Sequence, residues 1–399
     1  MKRIILDITS LSNLLRKRRL PHGVPRVALA YLKHYFHDMH ILFRVRGRSI
    51  ILSRHHSEKV GRLLLAWEFG SFLKLIRLIL RGALSPSGLD PKCHYFVIKL
   101  DYKGFKYPRY LATITRNHFN MLAVLHDLIP LLNPEFCTPA SSLQFKNHLS
   151  RMLAHAQGIV TISDATYHQL QRHVQKEGAL CPPVVSAPLA PGLANTTSPR
   201  EPLISSPYFI ILSTIGPRKN HLLLLRVFQR LLERHGRHTP KLVIIGKRST
   251  PCSSTLALLD KQGPLKDVIL EAQASDTELA NYLHYARALL FPTFAEGYGL
   301  PLVEAFSFGV PVIASDLPVF RDIAGNIPDY LDPLDGLGWM QAIEDYTLEH
   351  SVRRQAQLER LASFRVPAWQ DHFTKVDAFM DELVATHKQR SVEKTASID

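Results

Sequence analysis

The chain has 399 residues, 46% hydrophobic and 21% charged, a balance that excludes both a disordered chain and one dominated by membrane spans. Its 49 Lys and Arg against 34 Asp and Glu leave a formal charge of +15, which favours acidic partners without choosing between nucleic acid, anionic lipid and phosphorylated small molecules. The length suits two domains of roughly 100–200 residues each better than one.

The N-terminus, MKRIILDITS, has too few consecutive apolar residues for a signal peptide and reads as a first buried strand, IILDI (4–8). PHGVPRV (21–27) follows, where Gly23 is placed to present backbone amides to a ligand ahead of a helix from Val27 over VALAYLKHYF. Residues 60–84 break the strand–helix rhythm with one long helical pattern. Arg62, Lys74, Arg77 and Arg81 share a sector, Phe72, Leu75, Ile76 and Ile79 lie roughly opposite, Trp67 sits at the apolar edge, and RKRR (16–19) is nearby. Two readings stand: a helix packed on the sheet with a solvated basic stripe, or a surface lying on anionic lipid. No uncharged apolar run approaches the ~18 residues that would read as a spanning helix.

YFVIKL (95–100), MLAVLHDLI (121–129) and GIVTIS (158–163) read as further β-rich runs, with Ser163 or Asp164 capping the next helix. Between Pro182 and Pro207 lie seven prolines among Ser, Thr and Asn, the best linker candidate. The alternation then restarts with YFIILST (208–214), a helix from His221, KLVIIG (241–246), VILEA (268–272), a helix from Asp276, ALLFP (288–292) and VPVIAS (310–315). This pattern predicts an N-terminal Rossmann-like domain over 1–190, a linker over 191–207 and a second such domain over 208–370. A C-terminal helix over 371–387 that packs back and a disordered polar tail over 388–399 complete the division. The cysteines, 93, 137, 181 and 252, never form CxxC, so neither a zinc site nor a disulfide framework is expected.

Four stretches carry chemistry. In FPTFAEGYGLPLVEA (291–305), Pro301 opens a short helix and Gly309 follows its end, so the Gly297-Tyr298-Gly299-Leu300 turn brings amides to a helix N-terminus, suited to a phosphate. Glu296 and Glu304 flank that turn, and carboxylates beside a phosphate are better matched to sugar or ribose hydroxyls. The plain alternative is a surface Glu296 and a Glu304 that only favours the helix dipole. STIGPRKNH (213–221) sets Arg218 and Lys219 after a strand, either to neutralise a diphosphate or as a solvated corner. His126 and Asp127 close the strand LAVL, as a turn or facing a ligand cleft. Gly23 is the fourth.

Taken together these stretches resemble the retaining GT-B glycosyltransferases of family 4, a group that includes bacterial mannosyl- and rhamnosyltransferases. HGVPRV, HDLIPLLNPEF, TIGPRKNH, KLVIIG and the run from ASDTELANYL to FRDIAG match in order, with LDP (331–333) beyond. The most specific element is E-x7-E, here Glu296 and Glu304. The resemblance implies an α/β fold of two Rossmann-like, doubly wound domains facing a central cleft. It assigns Glu296 to hydroxyls of the donor sugar and Glu304 to the ribose. The amides around Gly299 and Leu300, with Lys219 and Arg218, fall to the diphosphate. His126 would lie beside the transferred sugar, and Gly23 near the diphosphate or acceptor. Gly297, Tyr298 and Asp127 fall in the same donor-binding set. Thr214, Gly216 and Ala272 depart from the family pattern at positions where relatives carry arginine, glutamate and glycine.

The implied reaction is transfer of a hexose, mannose from GDP-mannose as first guess, to a glycan or lipid-linked acceptor in bacterial surface polysaccharide synthesis. dTDP-rhamnose or a UDP-sugar comes next. No cofactor, divalent metal or nucleic-acid partner is expected. The expected location is cytoplasmic, peripheral on the inner face of the plasma membrane. A glycoside hydrolase would leave the Arg-Lys pair without a role, a nucleic-acid-binding protein would interleave its basic residues with aromatics, and a catalytically lapsed relative is the remaining alternative.

Overall fold

The computed structural model describes residues 2–193, 201–249, 252–261 and 263–396, with the backbone alone from 387 onward. The chain divides into two compact units, the first made of residues 1–189 and 369–399, the second of 190–368. Residues 194–200, within the expected linker, lie outside the described residues.

The first unit is built on seven strands: β1 (Lys2–Asp7), β2 (Met39–Val45), β3 (Arg48–Ile51), β4 (His94–Lys99), β5 (Asn120–Leu125), β6 (Gly158–Thr161) and β7 (Val184–Ser186). They lie in the order β3-β2-β1-β4-β5-β6-β7, parallel except for the β2–β3 hairpin. β1, β4, β5 and β6 are almost wholly buried because helices cover both faces, which is why they read as continuous apolar runs. The sequence reading did not identify β2, β3 or β7. β7 lies inside the proline-rich stretch, and Ala187, Leu189 and Ala190 after it are buried as core. The final helix, Trp369–Ala396, docks on this unit through Phe379 and Leu383 against Gly158, where an added Cβ would meet Leu383 Cδ1 at 2.7 Å. That helix also runs through 388–396, where a disordered tail was expected.

The second unit holds β8 (Tyr208–Leu212), β9 (Lys241–Ile245), β10 (Ile269–Ala272), β11 (Leu289–Phe291), β12 (Val312–Ser315) and β13 (Asp329–Leu331). They form one sheet, β10-β9-β8-β11-β12-β13, parallel throughout. In each unit the strand order reverses direction once, between β1 and β4 in the first and between β8 and β11 in the second. Such a reversal leaves a crevice at the carboxyl ends of the two diverging strands.

The segment 60–84 is two helices, not one. Arg54–Ala66 ends where Trp67 turns left-handed (φ 47°), Gly70 follows at φ 98°, and Phe72–Ala83 begins anew. Arg62 therefore sits on a different helix from Lys74, Arg77 and Arg81, and pairs with Glu58 at 3.6 Å. No helix among the described residues is long and apolar enough to cross a membrane.

Candidate active site

In the second unit the crevice between β8 and β11 is lined by the two motifs that the sequence singles out. After β8 the chain passes through a tight turn, Pro217–Lys219, and Asn220 in left-handed conformation (φ 55°) starts the helix His221–His235. After β11 it runs through Pro292 and Thr293 to Glu296. Thr293, fully buried, donates from Oγ1 to the Arg218 carbonyl at 3.1 Å, and the Phe294 amide donates to the same carbonyl at 2.9 Å. These bonds hold the two strand exits together.

Glu296 is the meeting point. Its carboxylate accepts from Lys219 Nζ and lies 3.0 Å from Arg218 Nη1, while Arg218 also donates to the Ala295 carbonyl. The Glu296 side chain is only 10% exposed, Lys219 14% and Arg218 25%. Burial alone pushes the Glu296 carboxyl up, but the charges of Lys219 and Arg218 outweigh it and hold the group below the usual carboxylate range. Lys219 Nζ also lies 5.4 Å from the centre of the ring of Phe291, the last residue of β11.

The turn that follows is shaped by Gly299. Its φ of 120° is one that side-chain-bearing residues rarely adopt, and a Cβ there would meet Phe320 Cε1 at 2.7 Å. The helix Leu300–Ser307 starts at this glycine with Pro301 in its first turn. The Leu302 and Val303 amides fold back onto the Gly299 carbonyl, leaving the Gly299 and Leu300 amides ahead of the first helical bond. Gly297 opens the turn, and Tyr298 is a buried residue of it whose hydroxyl pKa is pushed up by burial. Glu304 lies on the helix itself and is buried.

Three contributors escaped the sequence reading. Gly246 ends β9 so close to the 213–215 loop that a Cβ would fall 1.8 Å from the Ser213 carbonyl oxygen. His221 is buried beneath the turn, 3.4 Å from Ser213 Oγ, and burial, then Lys219, lower its pKa to about 3. Thr293 is the third. Each follows a chemistry-bearing strand exit, which was the available signal. Of the departures from the family pattern, Thr214 is exposed and Gly216 extended at φ −154°.

His126, Asp127 and Gly23 belong to the first unit. His126 immediately follows β5, is buried, and donates from Nε2 to the Leu100 carbonyl at 2.9 Å, since a carbonyl only accepts. Burial lowers its pKa, favouring the neutral ring. Asp127 Oδ1 accepts from the Ile129 amide at 3.0 Å, just ahead of the next short helix. Gly23 (φ 60°) starts the helix Val24–His34, three residues earlier than expected, with open space where a Cβ would stand.

The crevice between β1 and β4 is filled differently. Asp7 at the end of β1 accepts from Arg44 Nε at 2.7 Å and from Lys99 Nζ at 2.9 Å, and Lys99 reaches Asp101 at 2.6 Å. Asp7, Arg44 and Lys99 have at most 4% exposed side chains. Burial pushes Asp7 up, and Lys99 and Arg44 more than reverse this, holding its carboxyl far below the usual range. The signal was present as charged residues inside the otherwise apolar strands HILFRV and YFVIKL. Unit one thus closes its crevice with its own ion cluster, whereas unit two lines its crevice with partly exposed cations.

Comparison with known proteins bears on the family and the fold. Residues 196–327 match the family described as "Glycosyl transferases group 1". The serotype-specific mannosyltransferase WbdA of Escherichia coli is 32% identical over 219 residues, which cover 50% of this chain and 26% of that protein. O-antigen chain mannosyltransferase B of Escherichia coli is 25% identical over 302 residues, covering 72% of this chain and 76% of the other. This chain therefore spans about a quarter of the WbdA length. Among solved structures, sucrose-phosphate synthase from Thermosynechococcus elongatus superposes with a TM-score of 0.64 at 14% identity, covering 97% of this chain and 100% of that one. Anabaena HepE, solved with UDP and glucose, gives 0.62 at 13%, covering 99% of each. Two doubly wound parallel sheets and the superpositions on solved glycosyltransferases give the chain the GT-B fold, and the region similar to the group 1 glycosyl transferases, residues 196–327, contains the whole Arg218–Lys219–Glu296 cluster.

Proposed function

We propose that this protein transfers a hexose, mannose from GDP-mannose, to a hydroxyl of a glycan or lipid-linked acceptor during assembly of a bacterial surface polysaccharide. The observation that carries the reading is the convergence of Arg218 and Lys219 on Glu296 at the crevice between β8 and β11, beside the helix start at Gly299 and Leu300. The names of the mannosyltransferase relatives supply the sugar.

In this reading the leaving diphosphate takes the place of the Glu296 carboxylate against Arg218 and Lys219, and the Gly299 and Leu300 amides complete its cradle. Glu296, released, accepts hydroxyls of the donor sugar, and Glu304 those of the ribose. The acceptor attacks on the face from which the diphosphate departs, so the anomeric configuration is retained, and the leaving phosphate takes the acceptor proton. The basic pair and the helix amides supply the charge stabilisation without a divalent metal. A UDP-sugar donor is the second reading, favoured by HepE and its bound UDP and glucose.

A thermal-shift panel of nucleotide-sugars tests the proposal, since a bound donor stabilises the fold by mass action. GDP-mannose should raise the transition temperature, and an acceptor should then receive mannose with the α configuration of the donor kept. A chain that responds to no nucleotide-sugar, or that frees sugar from a nucleotide-free glycoside, overturns it.

A further inference from the structure

The helix Phe72–Ala83 buries Leu75, Ile79 and Gly82 against the helices Arg54–Ala66 and Thr9–Arg16 and the adjoining Leu52. Its other side is left bare. Leu73 is 67% exposed, Leu80 58%, Leu84 91%, and Phe69 in the preceding turn 53%. Leu73, Leu80 and Leu84 are seven and four residues apart, so they form one line along the helix, and Lys74, Arg77 and Arg81 form a second line beside it. Those three cations are exposed and have no ion-pair partner among the described residues.

A second basic stretch ends beside this helix. Thr9–Arg16 packs on Phe72–Ala83, and Arg16, Lys17, Arg18, Arg19 and Leu20 at its end are all exposed. Trp67, rather than lying at an apolar edge of one long helix, tethers this stretch by donating from Nε1 to the Arg19 carbonyl at 3.2 Å. Across 54–88 six Lys and Arg face two glutamates, and one of these, Glu58, is already paired with Arg62.

A protein-docking patch gathers its apolar residues centrally and keeps unpaired charge away from them. Here leucines and unpaired cations run side by side, the pattern that suits the boundary between acyl chains and anionic headgroups. We propose that this face lies on an anionic bilayer surface, with Phe69, Leu73, Leu80 and Leu84 entering the headgroup boundary and Lys74, Arg77, Arg81 and Arg16–Arg19 contacting lipid phosphates.

Co-sedimentation of the full chain with phosphatidylcholine vesicles, with and without one-third phosphatidylglycerol, tests this at low and high salt. The chain should bind the anionic vesicles, lose them at high salt, and ignore the neutral ones. Lys74→Glu, Arg77→Glu and Arg81→Glu together should weaken binding at least about tenfold, and Leu73→Ser, Leu80→Ser and Leu84→Ser together should do the same without the salt sensitivity changing. Retained circular dichroism and retained nucleotide binding by the second unit show that each variant is folded, and that readout is independent of the vesicle result. Equal binding to neutral vesicles, or binding that neither set reduces, overturns the proposal. Self-association of the wild type that the leucine variants abolish, with no vesicle binding, also overturns it and makes the face a contact between copies.

Discussion

Arg218 Nη1 stands 3.0 Å from Glu296 Oε1, and the Lys219 ammonium shares the same oxygen. An anion-binding pair at a strand exit is thus already occupied by an anion from the adjacent strand exit. On the proposed function, an arriving diphosphate would displace the carboxylate, and that displacement would turn Glu296 toward the donor sugar.

Glu296→Gln removes this internal competitor. It should tighten binding of GDP or UDP about three- to tenfold, measured by calorimetry, while lowering hexose transfer by about two orders of magnitude. It should also lower the transition temperature of the unliganded protein, because two half-buried cations lose their partner, and nucleotide should restore it. Weaker nucleotide binding in this variant would contradict the exchange. Lys219→Ala should weaken the same binding in the ordinary way.

Gly299 and Gly23 both have positive φ, but only one is enclosed. Gly299→Ala combines backbone strain with a contact to the Phe320 ring, and should cost about 2–4 kcal/mol in urea unfolding. Gly23→Ala meets open space and should cost only about 1 kcal/mol. Equal losses would show that the Phe320 contact relaxes freely.

Lys99→Met leaves Asp7 and Asp101 without their shared cation inside the first unit. Breaking a buried pair from one side costs about 3–5 kcal/mol, so the first unit should unfold at clearly lower denaturant while nucleotide binding by the second survives. Because the Asp7 carboxyl is held below its unfolded value, its stabilisation is present above about pH 4 and is lost as pH falls below that. Asp7→Asn should therefore be less stable than wild type at pH 7 and approach it at low pH.

His221 behaves in the same direction for a different reason. Burial, assisted by Lys219, lowers its pKa to about 3, so the folded state keeps it neutral where the unfolded chain would protonate it. Stability is full above the ordinary histidine pKa of about 6.5 and declines as pH falls from there toward about 3. His221→Gln should flatten the stability profile across that window, read by urea midpoints at each pH. An unchanged slope would show that other groups govern it.

The alternation of apolar strands and amphipathic helices, the glycine–proline punctuation at 297–301 and the Arg218-Lys219 turn were all legible along the chain, because strand burial and turn chemistry are encoded within a few neighbouring residues. The resemblance carried by those motifs reached the fold. What local reading missed shows where its reach ends. Trp67 has no helix-breaking character by type, yet it takes the left-handed conformation that splits 60–84. The helix through 388–396 follows a polar sequence without the apolar periodicity that marks a packed face. β7 is hidden among prolines because only its pairing with β6 makes it a strand.

Partner choice was a matter for the tertiary structure. Lys219 and Glu296 are 77 residues apart, Asp7 and Lys99 are 92 apart, and neither pairing follows from composition or spacing. Both depend on which strands lie side by side, since adjacent parallel strands deliver their exits to the same crevice. Sequence alone determined that the chain carries carboxylates and cations at strand ends, and that 60–84 holds a basic stripe. The packing decided that one crevice neutralises itself while the other keeps its cations partly exposed, and that Leu73, Leu80 and Leu84 line up outside beside their arginines. The physical reason is common to all of these: charge and apolar surface are properties of residues, but compensation and exposure are properties of neighbours.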